Sequence, residues 1–245
     1  MFKEFKNLIN LINAKTIIAT ILIIFIGSIP AIFMDSLLNA NLFNQLINCF
    51  TINFHLIFLI LAISINIISL SSELKKSNII FRHENYQEYL KFCLKKNLMY
   101  VFLSLIISFF FCLFTSLVSV DFKIEVIPYY YYNISNLTYF IFTLIKTVTF
   151  INLISIIIFY FNQKFKNKTT LLLIILILLT FFVPINLDSQ INSIFKMPIL
   201  VGHWFYALPY SSFSLEILVF VLQSLILLLI GLILKYLTIY NRKDV

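Results

Sequence analysis

The sequence predicts an all-α integral membrane protein with six transmembrane helices. Of the 245 residues, 61% are hydrophobic and 11% are charged, whereas a soluble domain carries roughly 25% charged residues. A helix needs about 20 apolar residues to cross about 30 Å of hydrocarbon. Six apolar blocks meet that length, and we predict one membrane domain over 1–245, with spans at 16–34, 50–70, 98–120, 139–160, 169–187 and 215–237.

The distribution of basic residues predicts that both ends lie in the cytoplasm. With the N-terminus inside, fifteen of the eighteen Lys and Arg residues are cytoplasmic, Lys123 and Lys196 lie outside, and Lys146 falls within the fourth span. Cytoplasmic segments carry an excess of Lys and Arg in membrane proteins. The net charge of +8 therefore follows from topology and implies no nucleic acid.

Residues 1–15 predict a helix lying in the inner membrane interface. Phe2, Phe5, Leu8 and Ile12 recur at helical spacing, with lysines and asparagines opposite. A tail with accidental periodicity is the alternative. The first apolar block follows three lysines, as a signal peptide would. Because five further spans follow and no small-residue cleavage site is evident, we interpret this block as a retained first helix.

The segment 71–97 is the largest cytoplasmic loop, and its second half predicts an amphipathic helix. Asn85 followed three residues later by Glu88 is similar to a capping box. We therefore expect a helix to begin at Asn85 and to continue into the third span. One face would carry Tyr86, Tyr89, Leu90, Cys93, Leu94 and Asn97, and the other Gln87, Glu88, Lys91 and Lys95.

The outer side consists of three segments. The first, 35–49, is short, rich in Asn and predicted as a loop, and the second holds tyrosines 129–132, which predict an interfacial belt. The third contains the apolar stretch 198–210, which is too short to cross and predicts a re-entrant or interfacial piece. Within it, Trp204, Tyr206 and Tyr210 fit either a passive anchor or a gate at the outer mouth of a pathway.

Polar residues within the spans suggest two roles. The fourth span carries Thr143, Lys146, Thr149, Asn152 and Ser155, a row that drifts around the helix. Lys146 either extends to the outer interface or faces a subunit interface or substrate path, with Thr149 and Asn152 below it. The third span carries small residues at a spacing that favours close helix packing: Ser104, Ser108, Cys112, Ser116 and Ser119.

Several chemistries are excluded by composition. The three glycines, Gly27, Gly202 and Gly231, are too far apart for a phosphate-binding loop, so the chain is not expected to hydrolyse ATP itself. The three cysteines are widely separated, and we predict no disulfide framework, metal site, cofactor or catalytic residue. Glu216 is the only acid in a predicted span and lies near its outer end, which argues against carboxylate-based proton coupling.

The topology and several short motifs resemble the permease subunits of ABC-2 type ABC transporters. Glu73 directly after the second span resembles an acidic position of that family, and residues 82–86 resemble the segment that docks on the ATPase. The segment before the last span resembles the family's re-entrant elements. The basic end, 240–245, resembles a common tail. Short outer loops and the Asn- and Ile-rich sequence look most like Gram-positive members that handle peptides, bacteriocins or toxins.

The resemblance implies a subunit of an exporter in a bacterial cytoplasmic membrane. Two permeases, identical or paired with a sibling, would work in membrane lipid with two separate ATPase subunits that bind the ATP. The residues implied in ATPase coupling are Glu73, Lys76, Arg82, His83, Glu84, Tyr86 and Tyr89. Two other classes remain open: a non-transporting membrane assembly or sensor-associated protein, and a secondary carrier or membrane enzyme.

Overall fold

The computed structural model describes residues 14–34, 41–51, 53–74, 86–118, 126–128, 132–165, 167–180 and 212–240. These residues form seven α-helices. An isolated antiparallel β-bridge pairs Pro128 with Ser135 in the segment before α5. The predicted all-helical class is confirmed for them. In chain order the helices are α1 (Ala14–Met34), α2 (Leu42–Thr51), α3 (Asn53–Leu74), α4 (Tyr86–Val118), α5 (Asn136–Lys164), α6 (Asn167–Leu179) and α7 (Phe213–Tyr240).

The lengths and compositions of the helices are those of a multi-pass membrane protein. Helices α4, α5 and α7 are each long and apolar enough to cross a membrane. Helices α2 and α3 add a fourth crossing if they are taken as one span bent by 53°. Shorter apolar stretches lie in α1 (Thr16–Ile29) and α6 (Asn167–Leu179). Three or four crossings are thus accounted for, and the full set of six stays a prediction.

Helix α2 corrects the sequence-based prediction of a loop over 35–49 for the residues from Leu42 onward. Its apolar residues Leu42, Leu46 and Phe50 recur every fourth position and so lie on one face. Asn41 caps its first turn, because the Asn41 side-chain oxygen accepts a 3.0 Å hydrogen bond from the Phe43 amide. Among the asparagines that suggested a loop, Asn41 is the cap, and Asn44 and Asn48 lie one turn apart within this helix. The bend between α2 and α3 therefore falls within the predicted second span.

Helix α4 begins at Tyr86, one residue after the predicted start at Asn85, and runs unbroken for 33 residues. Its first three turns follow the predicted faces. Tyr89, Leu90 and Cys93 are buried. The opposite face, with Gln87, Glu88, Lys91 and Lys95, is exposed.

Two hydrophobic clusters hold the helices together. The larger one joins α1, α3, α4, α5, α6 and α7 around large buried side chains such as Phe150 and Phe159. The smaller one joins α2 and α4 to the start of α5 and includes Phe50, Tyr132 and Tyr139. Tyr132 was predicted to lie in an interfacial belt, but it is buried among aromatic rings, so that assignment is corrected for this residue.

Several predictions fall outside the described residues. These are the interfacial helix over most of 1–15, the second half of the predicted span 169–187, and the outer segment around 198–210. The outer-gate residues Trp204, Tyr206 and Tyr210 belong to that segment. Their proposed roles stay predictions.

Candidate functional site

A buried ion pair joins α5 to α7. The Lys146 ammonium lies 3.0 Å from Oε1 of Glu216, and the two side chains are 6% and 1% exposed. Lys146 lies in α5, two turns after Tyr139, and Glu216 lies in the first turn of α7. Two opposite charges removed from solvent in this way attract each other strongly, because little solvent screens them.

Aromatic residues complete the surroundings of the pair. Tyr139 precedes Lys146 by seven residues, two helical turns, so both project from the same face of α5. The Tyr139 hydroxyl lies 3.2 Å from Glu216 Oε1 and 3.3 Å from Oε2. It donates its single hydrogen to this carboxylate. The Lys146 ammonium lies 5.8 Å from the centre of the Phe142 ring. Phe213, at the start of α7, packs against both aromatic rings.

The pair gives Lys146 a place that the sequence-based alternatives did not include. Lys146 does not extend to an interface as a lone cation, because its partner is an acid of the same chain. Glu216 is likewise not a peripheral acid but a buried one. Seventy residues separate the two in sequence, and nothing local links them. One signal was available: a cation and an anion in an apolar environment are expected to pair with each other.

The other polar residues of the predicted row differ in their burial. Thr149 and Asn152 are only partly buried, and the Asn152 amide donates to the Val148 carbonyl oxygen at 2.8 Å. Thr143 and Ser155 are buried. The polar row therefore drifts around the helix, as predicted. The role of Thr149 and Asn152 in a pathway stays a prediction.

Two asparagines connect the segments at the N-terminal ends of α2 and α5. The Asn136 side-chain amide donates to the Asn41 side-chain oxygen at 3.0 Å, while its own oxygen accepts from the Ile127 amide at 3.1 Å. The Asn136 backbone amide also donates to the Ile127 carbonyl at 2.8 Å. Asn136 is fully buried. The Asn136 side chain thus joins the cap residue of α2 to the segment at Ile127 that precedes α5.

Replacing Asn136 by Ala is expected to lower the free energy of unfolding by about 1–3 kcal/mol, because the buried Asn41 side chain and the partly buried Ile127 amide lose their hydrogen bonds to it. Thermal unfolding in detergent measures the change. Asn133→Ala is the matched control, since Asn133 is exposed in the same turn. Equal unfolding temperatures for the two variants would contradict this account of Asn136.

A second cluster of reactive side chains lies where α2, α3 and α4 meet. Candidate ligand atoms of Cys49, His55 and Cys112 all lie within 4.8 Å of one another, and all three residues are buried. Ser108, one turn before Cys112, has its hydroxyl oxygen 2.6 Å from Nε2 of His55. The cysteines were predicted to be too scattered to act together. That premise is corrected for Cys49 and Cys112, because helix packing brings together residues that are distant in sequence.

The residues implied in ATPase coupling are only partly described. Glu73 lies in the last turn of α3. The α4 residues Tyr86 and Tyr89 stack on each other, with ring centres 5.7 Å apart. Tyr89 is buried, whereas Tyr86 is half-buried. The remaining four residues lie outside the described segments: Lys76, Arg82, His83 and Glu84.

Comparison of the chain with protein families, with curated proteins and with solved structures finds no match.

Proposed function

We propose that this chain is the membrane-spanning permease subunit of an ATP-driven ABC exporter that moves amphipathic peptides, toxins or other hydrophobic compounds out of a bacterial cell. In this proposal six helices cross the cytoplasmic membrane, and both ends lie inside. ATP binds to two copies of a separate ATPase subunit. A second permease, identical or a sibling, completes the pathway.

The observation that carries the proposal is the continuity of α4. Its first three turns expose a charged face that contains Glu88, Lys91 and Lys95, while the same helix continues as one of the membrane-spanning candidates. A continuous helix transmits a displacement at one end along its whole length, since each residue is hydrogen-bonded within it. Tyr89 and Cys93 pack the charged end of α4 against the main hydrophobic cluster. A partner that pushes on this face would therefore move the helix bundle.

The two tyrosines of α4 take different parts in this mechanism. Tyr86 is half-buried and keeps surface for contact with an ATPase. In this proposal Arg82 and Glu84, which precede it in sequence, make contact with the same partner. Tyr89 is only 2% exposed. We assign it the role of holding Tyr86 in place through their stacked rings.

The buried ion pair fits the outer part of the same pathway. With the charge-derived orientation, the start of α5 and the start of α7 both face outward. Lys146 and Glu216 then bind these two outer ends to each other. Opening the pathway would separate or shift them, and aromatic residues around the pair would line the exit for an amphipathic substrate.

The deciding experiment is purification of the tagged chain from its own cells in mild detergent. We expect an ABC ATPase to co-purify, and Arg82→Ala or Tyr86→Ala to reduce its recovery at least several-fold. Lys168→Ala is the matched control, because Lys168 is an exposed basic residue at the start of α6 on the same predicted side.

The competing classes give different outcomes in that experiment. A non-transporting assembly or sensor-associated protein would bring no ATPase with it. A secondary carrier or membrane enzyme would be active as a purified chain in vesicles without ATP. Full ATPase recovery and normal transport with both Arg82→Ala and Tyr86→Ala would contradict the docking assignment.

A further inference from the structure

We propose that Cys49, His55 and Cys112 form a binding site for a thiophilic divalent cation, with Zn²⁺ as the fitting ion. The three residues come from three helices, α2, α3 and α4, and meet at the bend between α2 and α3. Two sulfurs and one imidazole are a ligand set that Zn²⁺ favours. This inference stands on these contacts alone and does not depend on the proposed function.

The distances in the cluster are close to those of a tetrahedral site. With Zn–S bonds of about 2.3 Å and Zn–N bonds of about 2.0–2.1 Å, neighbouring S and N ligands lie about 3.5 Å apart, and two S ligands about 3.8 Å apart. The Cys112 sulfur lies 4.0 Å from Nδ1 of His55, the nitrogen that would bind the ion, and 3.5 Å from Nε2, which lies beside Ser108. One candidate ligand atom of each residue lies within 4.8 Å of those of the other two. Side-chain movements of about 1 Å therefore bring them to ligand spacing.

The charge of the site selects a divalent ion. Zn²⁺ binding displaces one proton from each thiol, so that two thiols and Zn²⁺ become two thiolates bound to Zn²⁺ plus two released protons. The neutral imidazole adds no charge, and the two negative thiolates balance the ion. Such a neutral complex suits a buried position, because an unbalanced charge is costly there.

The neighbouring residues orient the histidine and shield the site. The Ser108 hydroxyl oxygen lies 2.6 Å from His55 Nε2. When Nε2 carries the hydrogen, it donates a hydrogen bond to this oxygen. Nδ1 then keeps its lone pair for the ion. The other ring nitrogen donates its hydrogen to a neighbour, as is usual for histidines that bind metals. The Phe50 ring stands edge-on to His55 at 6.0 Å and stacks with Phe109 at 6.3 Å. These rings form an apolar wall, and the fourth position of the tetrahedron is left for a small ligand.

Binding would connect three helices at one point. Cys49 lies in the last turn of α2 and His55 in the first turn of α3, on either side of the bend, while Cys112 lies in α4. An ion held by all three would hold the bend at one angle and attach it to α4.

The test uses the full-length chain purified in detergent under reducing conditions, stripped with a chelator and titrated with Zn²⁺ and, separately, with Co²⁺. We expect one Zn²⁺ per chain and a Co²⁺ complex with the sulfur-to-metal absorption bands of thiolate ligands. Cys112→Ser and His55→Phe should lose this binding. Ser108→Ala should weaken it by about 10- to 100-fold, since it removes the partner that orients His55.

Cys93→Ser is the matched control, because Cys93 is also a buried cysteine of α4 but lies outside the cluster. It should bind Zn²⁺ like the parent. Each variant must have the helical content of the parent and a single gel-filtration peak. If a variant fails to fold, Cys49→Ser is used in its place. The proposal is overturned if the parent binds no more Zn²⁺ than the Cys112→Ser or Cys49→Ser variant. It is also overturned if Cys49 and Cys112 form a disulfide whose reduction does not produce a Zn²⁺ site.

Discussion

Lys146→Met alone is expected to lower the free energy of unfolding by about 3–5 kcal/mol. The substitution leaves the Glu216 carboxylate buried, with Tyr139 as its remaining hydrogen-bond partner among those described above. Glu216→Leu should have an effect of similar size, because it leaves the Lys146 ammonium buried against the Phe142 ring. Either variant alone should therefore be more fragile than the parent in detergent, and function should fall with stability.

The double variant Lys146→Met with Glu216→Leu is the sharper measurement. Replacing both partners of a buried ion pair by apolar residues of similar volume is often neutral or stabilising. We therefore expect the double variant to recover most of the thermal stability that each single variant loses. Any loss of the proposed transport activity that persists in it would then report on the charges themselves. Lys168→Met, at an exposed position, is the control for loss of a lysine.

A free lysine at the interface would behave differently. Lys146→Met would then unfold at the same temperature as Lys168→Met, and the double variant would be no better than Glu216→Leu alone. Either result would contradict the ion pair as a contributor to stability.

Gly27→Ala is expected to cost about 1–3 kcal/mol through overpacking between α1 and α3. A Cβ atom at Gly27 would lie 2.5 Å from the Cβ atom of Phe58, well inside van der Waals contact. The Phe58 Cβ is attached directly to the backbone, so no side-chain rotation moves it away. The two helices must separate, and Gly27→Leu should therefore be worse than Gly27→Ala.

Gly231→Ala in α7 is the matched control. A Cβ atom there would lie 3.5 Å from Ile156 and 4.0 Å from Ile157, which are ordinary contacts. We expect no loss of stability, or a small gain, because Ala favours the helix over Gly by about 1 kcal/mol. Thermal unfolding and the yield of folded protein measure both variants. Equal behaviour of Gly27→Ala and Gly231→Ala would show that α1 and α3 are not packed at Gly27.

The sequence by itself determined the helical class and much of the helix placement. Long apolar blocks and few charges predicted a multi-pass membrane protein. The start of α4 and its two faces followed from a three-to-four-residue periodicity and a capping pattern. Such features depend on neighbours within one or two turns, so they can be read from a short window. The same local reasoning missed α2, because its asparagines suggested a loop although Leu42, Leu46 and Phe50 have helical spacing.

Only the tertiary structure decided which polar residues meet. Lys146 and Glu216 lie 70 residues apart, and Cys112 lies 57 residues from His55. Their contacts depend on which helices are neighbours and on how each helix is rotated about its axis. That choice is made by packing over whole helix faces, which no short window of the sequence contains. Sequence periodicity predicts which residues share one face of one helix. A buried pair such as Lys146 and Glu216 forms only when the faces of two helices meet with both residues at the same level along the helix axes.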